Sequence, residues 1–163
     1  MYRKIINTTL GLREQDRYFM KLCKDETLSD AKKFYEENKD YITLDIGNIM
    51  KLGCNDGQLE VAKWAHSINT QSENYPDCFK LSCENEHLDI VKWLNSLNCD
   101  IYLHTYQEAL EFCCSHGYLE IVEWFYSIKG SNFTDINKNF QTCCYNGNTT
   151  IAKMLYSLGG VGI

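Results

Sequence analysis

The stretch "CENEHLDIVKWL" beginning at Cys83 occurs twice more in altered form, as "CNDGQLEVAKWA" from Cys54 and as "CSHGYLEIVEWF" from Cys114. Extending the alignment from that cysteine places equivalent positions at Cys23, Cys54, Cys83, Cys114 and Cys144, at intervals of 31, 29, 31 and 30 residues. A period of this size marks a solenoid, because one short supersecondary unit cannot bury its apolar face alone and must stack on copies of itself. The columns say what the unit is. Four residues before the anchor cysteine stand Phe19, Met50, Phe79, Leu110 and Phe140, and five after it Leu28, Leu59, Leu88, Leu119 and Thr149. Eight after come Ala31, Ala62, Val91, Val122 and Ala152, and eleven after Phe34, Ala65, Leu94, Phe125 and Leu155. Offsets of three and four residues describe one face of an α-helix.

Each unit is therefore predicted as two short helices around a polar turn of two or three residues, for example over 77–85 and 87–97. Helices shorter than about 12 residues are marginal alone in water. Stacking supplies the missing stability, each pair covering one apolar face of the next. The end units fit that scheme. The columns seven and ten after the anchor read Val61-Trp64, Ile90-Trp93, Ile121-Trp124 and Ile151-Met154, but Asp30 and Lys33 in the first unit. The last unit puts Thr142 and Thr149 at mostly apolar positions and runs into Gly159-Gly160, a helix-terminating pair. The expected architecture is one all-α domain over 1–163: a lead of residues 1–16, then five units at about 17–47, 48–76, 77–106, 107–136 and 137–163. The pattern leaves open the alternative that these units belong to a longer array.

The rest of the sequence excludes more than it suggests. With 44% apolar and 13% aromatic residues the chain can build a core, so disorder is not expected. The start "MYRKIINTTLGLREQ" lacks a secretory apolar run, and no stretch approaches the roughly 18 consecutive apolar residues of a membrane span. A soluble, intracellular, cytoplasmic protein is expected, with no membrane partner. The net charge of -6 repels a phosphate backbone and no basic stripe offsets it, which disfavours nucleic acid. The Asn-x-Ser/Thr triplets at Asn7, Asn132 and Asn148 are read as chance in the absence of an export signal.

The wording "GYLEIVEWF" and "EHLDIVKWL" resembles the second-helix signature of the ankyrin repeat, over about 17–158. The Lys-Trp-Leu motif, the ending Tyr156-Ser157-Leu158 and cysteine at the second small position look like the divergent ankyrin-repeat proteins of large DNA viruses of amoebae. That finer likeness implies a viral protein working in host cytoplasm. Departures are visible as well. The family's Thr-Pro-Leu-His helix opening and its inter-unit Asp-x-x-Gly turn are missing, so short or irregular connections are expected in place of β-hairpin fingers. The glycine before the second helix survives at Gly57, Gly117 and Gly147 but is Glu26 and Glu86 elsewhere, which is acceptable where φ stays negative.

Nine cysteines invite a metal or disulfide reading, strongest at "FCCSHG" with Cys113, Cys114 and His116, followed by Cys143 and Cys144. A zinc site needs about four converging ligands. Equivalent positions in adjacent units sit on helices roughly 8–10 Å apart, beyond the roughly 7 Å Cα separation of a disulfide. The anchors are instead expected as small core residues, with free thiols acting as buried hydrophobes. Cys113 and Cys143 share a column of small or apolar residues with Leu22, Gly53 and Ser82, while Cys78 and Cys99 fall outside it. A Cys114–His116 dyad fails on helical phase, since only residues three or four apart are neighbours. No catalytic residue, cofactor or metal is expected, and the tryptophan column is read as packing.

What the repeat does not consume is the candidate site. One and two residues after the anchors the chain reads Asn55-Asp56, Glu84-Asn85, Ser115-His116 and Tyr145-Asn146, variable and polar. The ankyrin resemblance implies that these line a concave face and that the inter-unit loop tips join them. The loops are expected to carry Tyr75, Tyr102, Tyr106 and Phe133, tyrosine offering large contact area at low entropic cost. The expected function is non-enzymatic, binding of a partner protein, not identified by the sequence, by a monomeric scaffold. The alternative is a structural role through end-to-end association or a C-terminal homodimer.

Overall fold

The fold follows from a turn that the chain repeats. In a computed structural model of the chain, the residue four after each of the last four anchors donates its backbone N–H five residues back. Gln58 N bonds Gly53 O (2.8 Å), His87 N bonds Ser82 O (2.8 Å), Tyr118 N bonds Cys113 O (3.0 Å) and Asn148 N bonds Cys143 O (2.8 Å). This bond closes a helix through a left-handed residue. That residue is Gly57 (φ 73°), Gly117 (φ 85°) and Gly147 (φ 75°), and in the third unit Glu86 (φ 62°). The condition under which glutamate was acceptable, a negative φ, is not met at Glu86: the turn geometry is shared, and glutamate adopts it against the steric preference of an L-residue. Glu26 lies outside the described residues.

The structure describes residues 12–24, 28–40, 42, 45–69, 74–97, 99, 101–129 and 135–158. They form ten helices and no strand. They are α1 (Leu12–Lys24), α2 (Leu28–Asn38), α3 (Ile46–Asn55), α4 (Leu59–Ile68), α5 (Tyr75–Glu84), α6 (Leu88–Ser96), α7 (Leu103–His116), α8 (Leu119–Lys129), α9 (Ile136–Tyr145) and α10 (Thr149–Ser157). The chain divides into two compact units, Met1–Asn74 and Tyr75–Ile163. No described helix is long and apolar enough to cross a membrane.

In the first unit, α1 packs on α2, α3 on α4, and α1 on α3. Asp45 starts α3 by accepting from Gly47 N at 3.0 Å, an N-cap bond. Gly53 sits where α3 meets α4: a Cβ there would lie 2.8 Å from Ala62 N and 3.1 Å from Gln58 O, so only hydrogen fits between the two backbones. The core gathers Phe19, Ile49, Met50 and the anchors Cys23 and Cys54, with Ala31 and Ala62 between them.

In the second unit the first helices of three pairs pack in series, α5 on α7 and α7 on α9, with α6, α8 and α10 each on its partner helix. Asp135 caps α9, accepting from Asn137 N and Lys138 N at 3.0 and 3.1 Å. Phe79, Leu94, Leu110, Phe125, Ile121 and Leu155 are fully buried, the columns predicted from the repeat. The tryptophans also pack. Trp64 meets the rings of Phe19 and Tyr35 edge-on at 5.9 and 5.6 Å, and Trp124 meets Phe79 at 6.4 Å. Each thus covers the aromatic residue four before the anchor of the preceding pair.

Candidate interaction surface

The side chain four residues after the anchor, unremarked in the sequence, ties consecutive pairs together. Gln58 Nε2 donates to Lys24 O at 2.8 Å, Tyr118 OH to Glu84 O at 3.3 Å, and Asn148 Nδ2 to both Cys114 O (2.8 Å) and Ser115 O (2.9 Å). The acceptors belong to the last turn of the preceding first helix, whose carbonyls lack intrahelical partners. A second link comes from thiols: Cys113 Sγ approaches Cys83 O at 3.8 Å and Cys143 Sγ approaches Cys114 O at 3.5 Å. A signal for the first link was present, because Gln58, His87, Tyr118 and Asn148 all carry side-chain donors in one column. Asn148 is thereby committed to packing.

This clamp fixes the backbone of the candidate residues while leaving several of their side chains outside. Asn85, His116, Tyr145 and Asn146 are exposed, Tyr145 at 91%, and Glu84 and Ser115 are half-buried. The His116 ring stacks on Phe112 (centroids 3.8 Å apart, planes 14° apart), and its Nδ1 lies 3.0 Å from Phe112 O and 2.8 Å from Ser115 Oγ. One edge of the imidazole is therefore held by its own helix. Asn146 Nδ2 likewise donates back to Thr142 O at 2.8 Å. In the first unit the exposed pair Asn55 and Asp56 is bonded side chain to side chain at 2.6 Å, and Lys24 Nζ stands 3.4 Å from Asp56 Oδ2. Exposed ion pairs also join neighbours in the second unit, Lys80 to Glu108 at 3.5 Å and Lys138 to Glu111 at 2.7 Å. Such pairs contribute about 0–1 kcal/mol each and serve register more than stability.

Two expected loop anchors are core residues. Tyr75 is the first residue of α5 and only 7% exposed. Tyr106 lies a full turn into α7 at 9% exposure, its ring 4.7 Å from Phe79 and its hydroxyl donating to Asn95 Oδ1 at 2.9 Å. Burial raises the phenol pKa of both above the usual value. The reason for the correction is that α5 and α7 begin earlier than predicted, which turns both rings inward. Tyr102 is 60% exposed just before α7, stacked with His104 at 5.6 Å and followed by Leu103 at 58% exposure. Sequence reasoning missed Leu103 and His104, since nothing in the repeat distinguishes an exposed helix start. Phe133 and the lead, residues 1–16, lie outside the described side chains.

No disulfide joins the described cysteines, and four of the five anchors are fully buried, Cys23, Cys54, Cys83 and Cys114. Burial pushes the Cys23 pKa up to about 12 and holds those of Cys83 and Cys114 well above the ordinary thiol range. A thiol so held stays protonated, and the thiolate is both the nucleophile and the metal ligand. Cys144 departs from its column and is exposed. The expectation that every anchor is core is corrected there, because among the described residues no further helix pair follows α10 to cover it. No group of three or more His, Cys, Asp or Glu side chains among the described residues is placed to hold an ion. Neither a protein-family model nor a curated protein sequence matches this chain.

Proposed function

We propose that the chain is an ankyrin-type repeat scaffold of five helix pairs. It binds another protein, without catalysis, through the exposed ends of its first helices and the neighbouring loop positions. The observation that carries this reading is the division of labour at those ends. Their carbonyls are tied to the next pair by Tyr118 and Asn148, while the side chains of Asn85, His116 and Tyr145 are exposed at a spacing of about one repeat. A surface already ordered loses little conformational entropy on binding. Tyr145 at 91% exposure contributes nothing to the stack and has the chemistry of an interface anchor. Tyr102, Leu103 and His104 add an exposed apolar and aromatic cluster at the start of α7.

The test is affinity capture from cell lysate with the wild-type chain and with a triple variant, Asn85→Ala, His116→Ala and Tyr145→Ala. All three substitutions lie at exposed positions, so unchanged far-UV circular dichroism and thermal midpoint are expected. A partner recovered with wild type and lost with the triple variant supports the reading. Full recovery with the folded triple variant removes it.

A further inference from the structure

The outer face of the last helix pair carries an open aromatic seat. Phe140, Cys144, Thr149, Ala152, Lys153 and Tyr156 line a groove of about 540 Å³. Phe140 and Tyr156 hold their rings 6.4 Å apart there. These two positions, four before and twelve after the anchor, are those of Phe19 and Tyr35 in the first pair, whose rings lie 5.7 Å apart. In the first unit the seat is filled: Trp64 of the following pair stands edge-on to both rings. Beneath it Cys23 and Ala31 are fully buried. Cys144, in the equivalent place, is exposed, as are Thr149 and Tyr156.

We propose that this groove docks an amphipathic helix, not one from a second copy of this chain, that presents a tryptophan with an acidic residue beside it. The tryptophan follows from the filled seat. Each of the units beginning at Cys54, Cys83 and Cys114 offers a β-branched residue seven after its anchor and tryptophan ten after, so the occupant's face reads as Val or Ile followed three residues later by Trp. An indole edge over two rings adds to the area it buries, since T-shaped aromatic pairs are favourable beyond burial alone. The acidic neighbour follows from Lys153 on the groove wall. A second copy of this chain stacking end to end fits worse. Its first pair places Asp30 and Lys33 where the β-branched residue and the tryptophan belong, both of them exposed, and burying them there would strip two charges of water. Two copies meeting face to face would bring each Lys153 toward the other.

Cys144 reports on the groove directly. The full chain is treated with a maleimide, and modification at Cys144 is followed by peptide mapping, with and without a stapled amphipathic helix bearing Val-x-x-Trp and a glutamate beside the tryptophan. The peptide is expected to slow labelling by about tenfold at about ten times its Kd, because the rate follows the open fraction. The Trp→Ala peptide is expected to give no protection, Tyr156→Ala in the chain to weaken it, and Lys153→Glu to reverse the preference in favour of a lysine-bearing peptide. Three results overturn the proposal. One is absence of protection, or equal protection by the alanine peptide. Another is labelling that is slow without peptide and becomes fast on removal of residues 159–163, which makes the chain's own tail the occupant. The last is protection that rises with protein concentration together with dimer in sedimentation, which makes a second copy the occupant. None of these touches Asn85, His116 or Tyr145, so failure here and failure of the proposed scaffold role are separable.

Discussion

Asn148→Ala probes the link that holds the last pair to its neighbour. The wild-type amide donates to Cys114 O at 2.8 Å and to Ser115 O at 2.9 Å, both part-buried, across 34 and 33 residues of sequence. A net hydrogen bond contributes about 0.5–1.5 kcal/mol, so losing two gives about 1–3 kcal/mol. Partial exposure lets water replace some of that, which favours the lower half, about 1–2 kcal/mol. That loss corresponds to a fall in thermal midpoint of about 2–8 °C for a chain of this size. Urea unfolding followed by circular dichroism should show an earlier midpoint at unchanged slope, since the surface exposed on unfolding stays the same. Asn148→Asp should cost more at neutral pH, because a carboxylate would face two carbonyls at the negative end of α7. There the folded state would favour the protonated acid, so its pKa would lie above the unfolded value. The additional destabilisation would then be absent below about pH 4 and appear as pH rises through the carboxylate range. Asn146→Ala is the control: that amide donates only within its own helix, to Thr142 O, at an exposed position. Its effect should stay within about 0.5 kcal/mol. If Asn148→Ala were no worse than Asn146→Ala, the inter-pair link would be incidental and the ordered-surface argument would lose its support.

Glu86→Gly should stabilise the chain. The φ of 62° costs an L-residue about 1–2 kcal/mol, glycine's larger unfolded-state freedom takes back about 0.5–1 kcal/mol, and a later urea midpoint by up to about 1.5 kcal/mol equivalent is the expected reading. The buried anchors predict alkaline sensitivity. Thiol pKa values raised in the folded state contribute stability that is complete below the unfolded value near 8.5. It is lost as pH climbs toward the folded value, about 12 for Cys23. Cys23→Ala and Cys114→Ala together should flatten that decline, and an unchanged stability curve above pH 9 in the double variant would show the thiols to be uninvolved.

The candidate surface shows where a sequence stops being sufficient. Asn85, His116, Tyr145 and Asn146 stood out in the sequence because their columns vary while the neighbouring ones do not, and all four are exposed. Tyr75 and Tyr106 were misassigned to loops because the start of a helix is weakly encoded in sequence, and at α7 no capping side chain marks it. Tyr102, at its N-cap, makes no side-chain cap bond comparable to those of Asp45 and Asp135. One helical turn of difference moves a tyrosine from rim to core.

By itself the sequence determined the helix pairs, their period and most of the columns that become core, although the leucines five after the anchors (Leu28, Leu59, Leu88 and Leu119) are only half-buried. These follow from local phase: apolar residues spaced three and four apart lie on one face wherever they occur, and the spacing recurs in each unit. Only tertiary structure decided which members of a column are covered. Cys114 and Cys144 share a position in the repeat and differ in burial, because α9 packs beyond the first and no described helix packs beyond the second. The same is true of the turn at Glu86, where the backbone bond from His87 N to Ser82 O imposes a left-handed residue on a side chain that would not choose it.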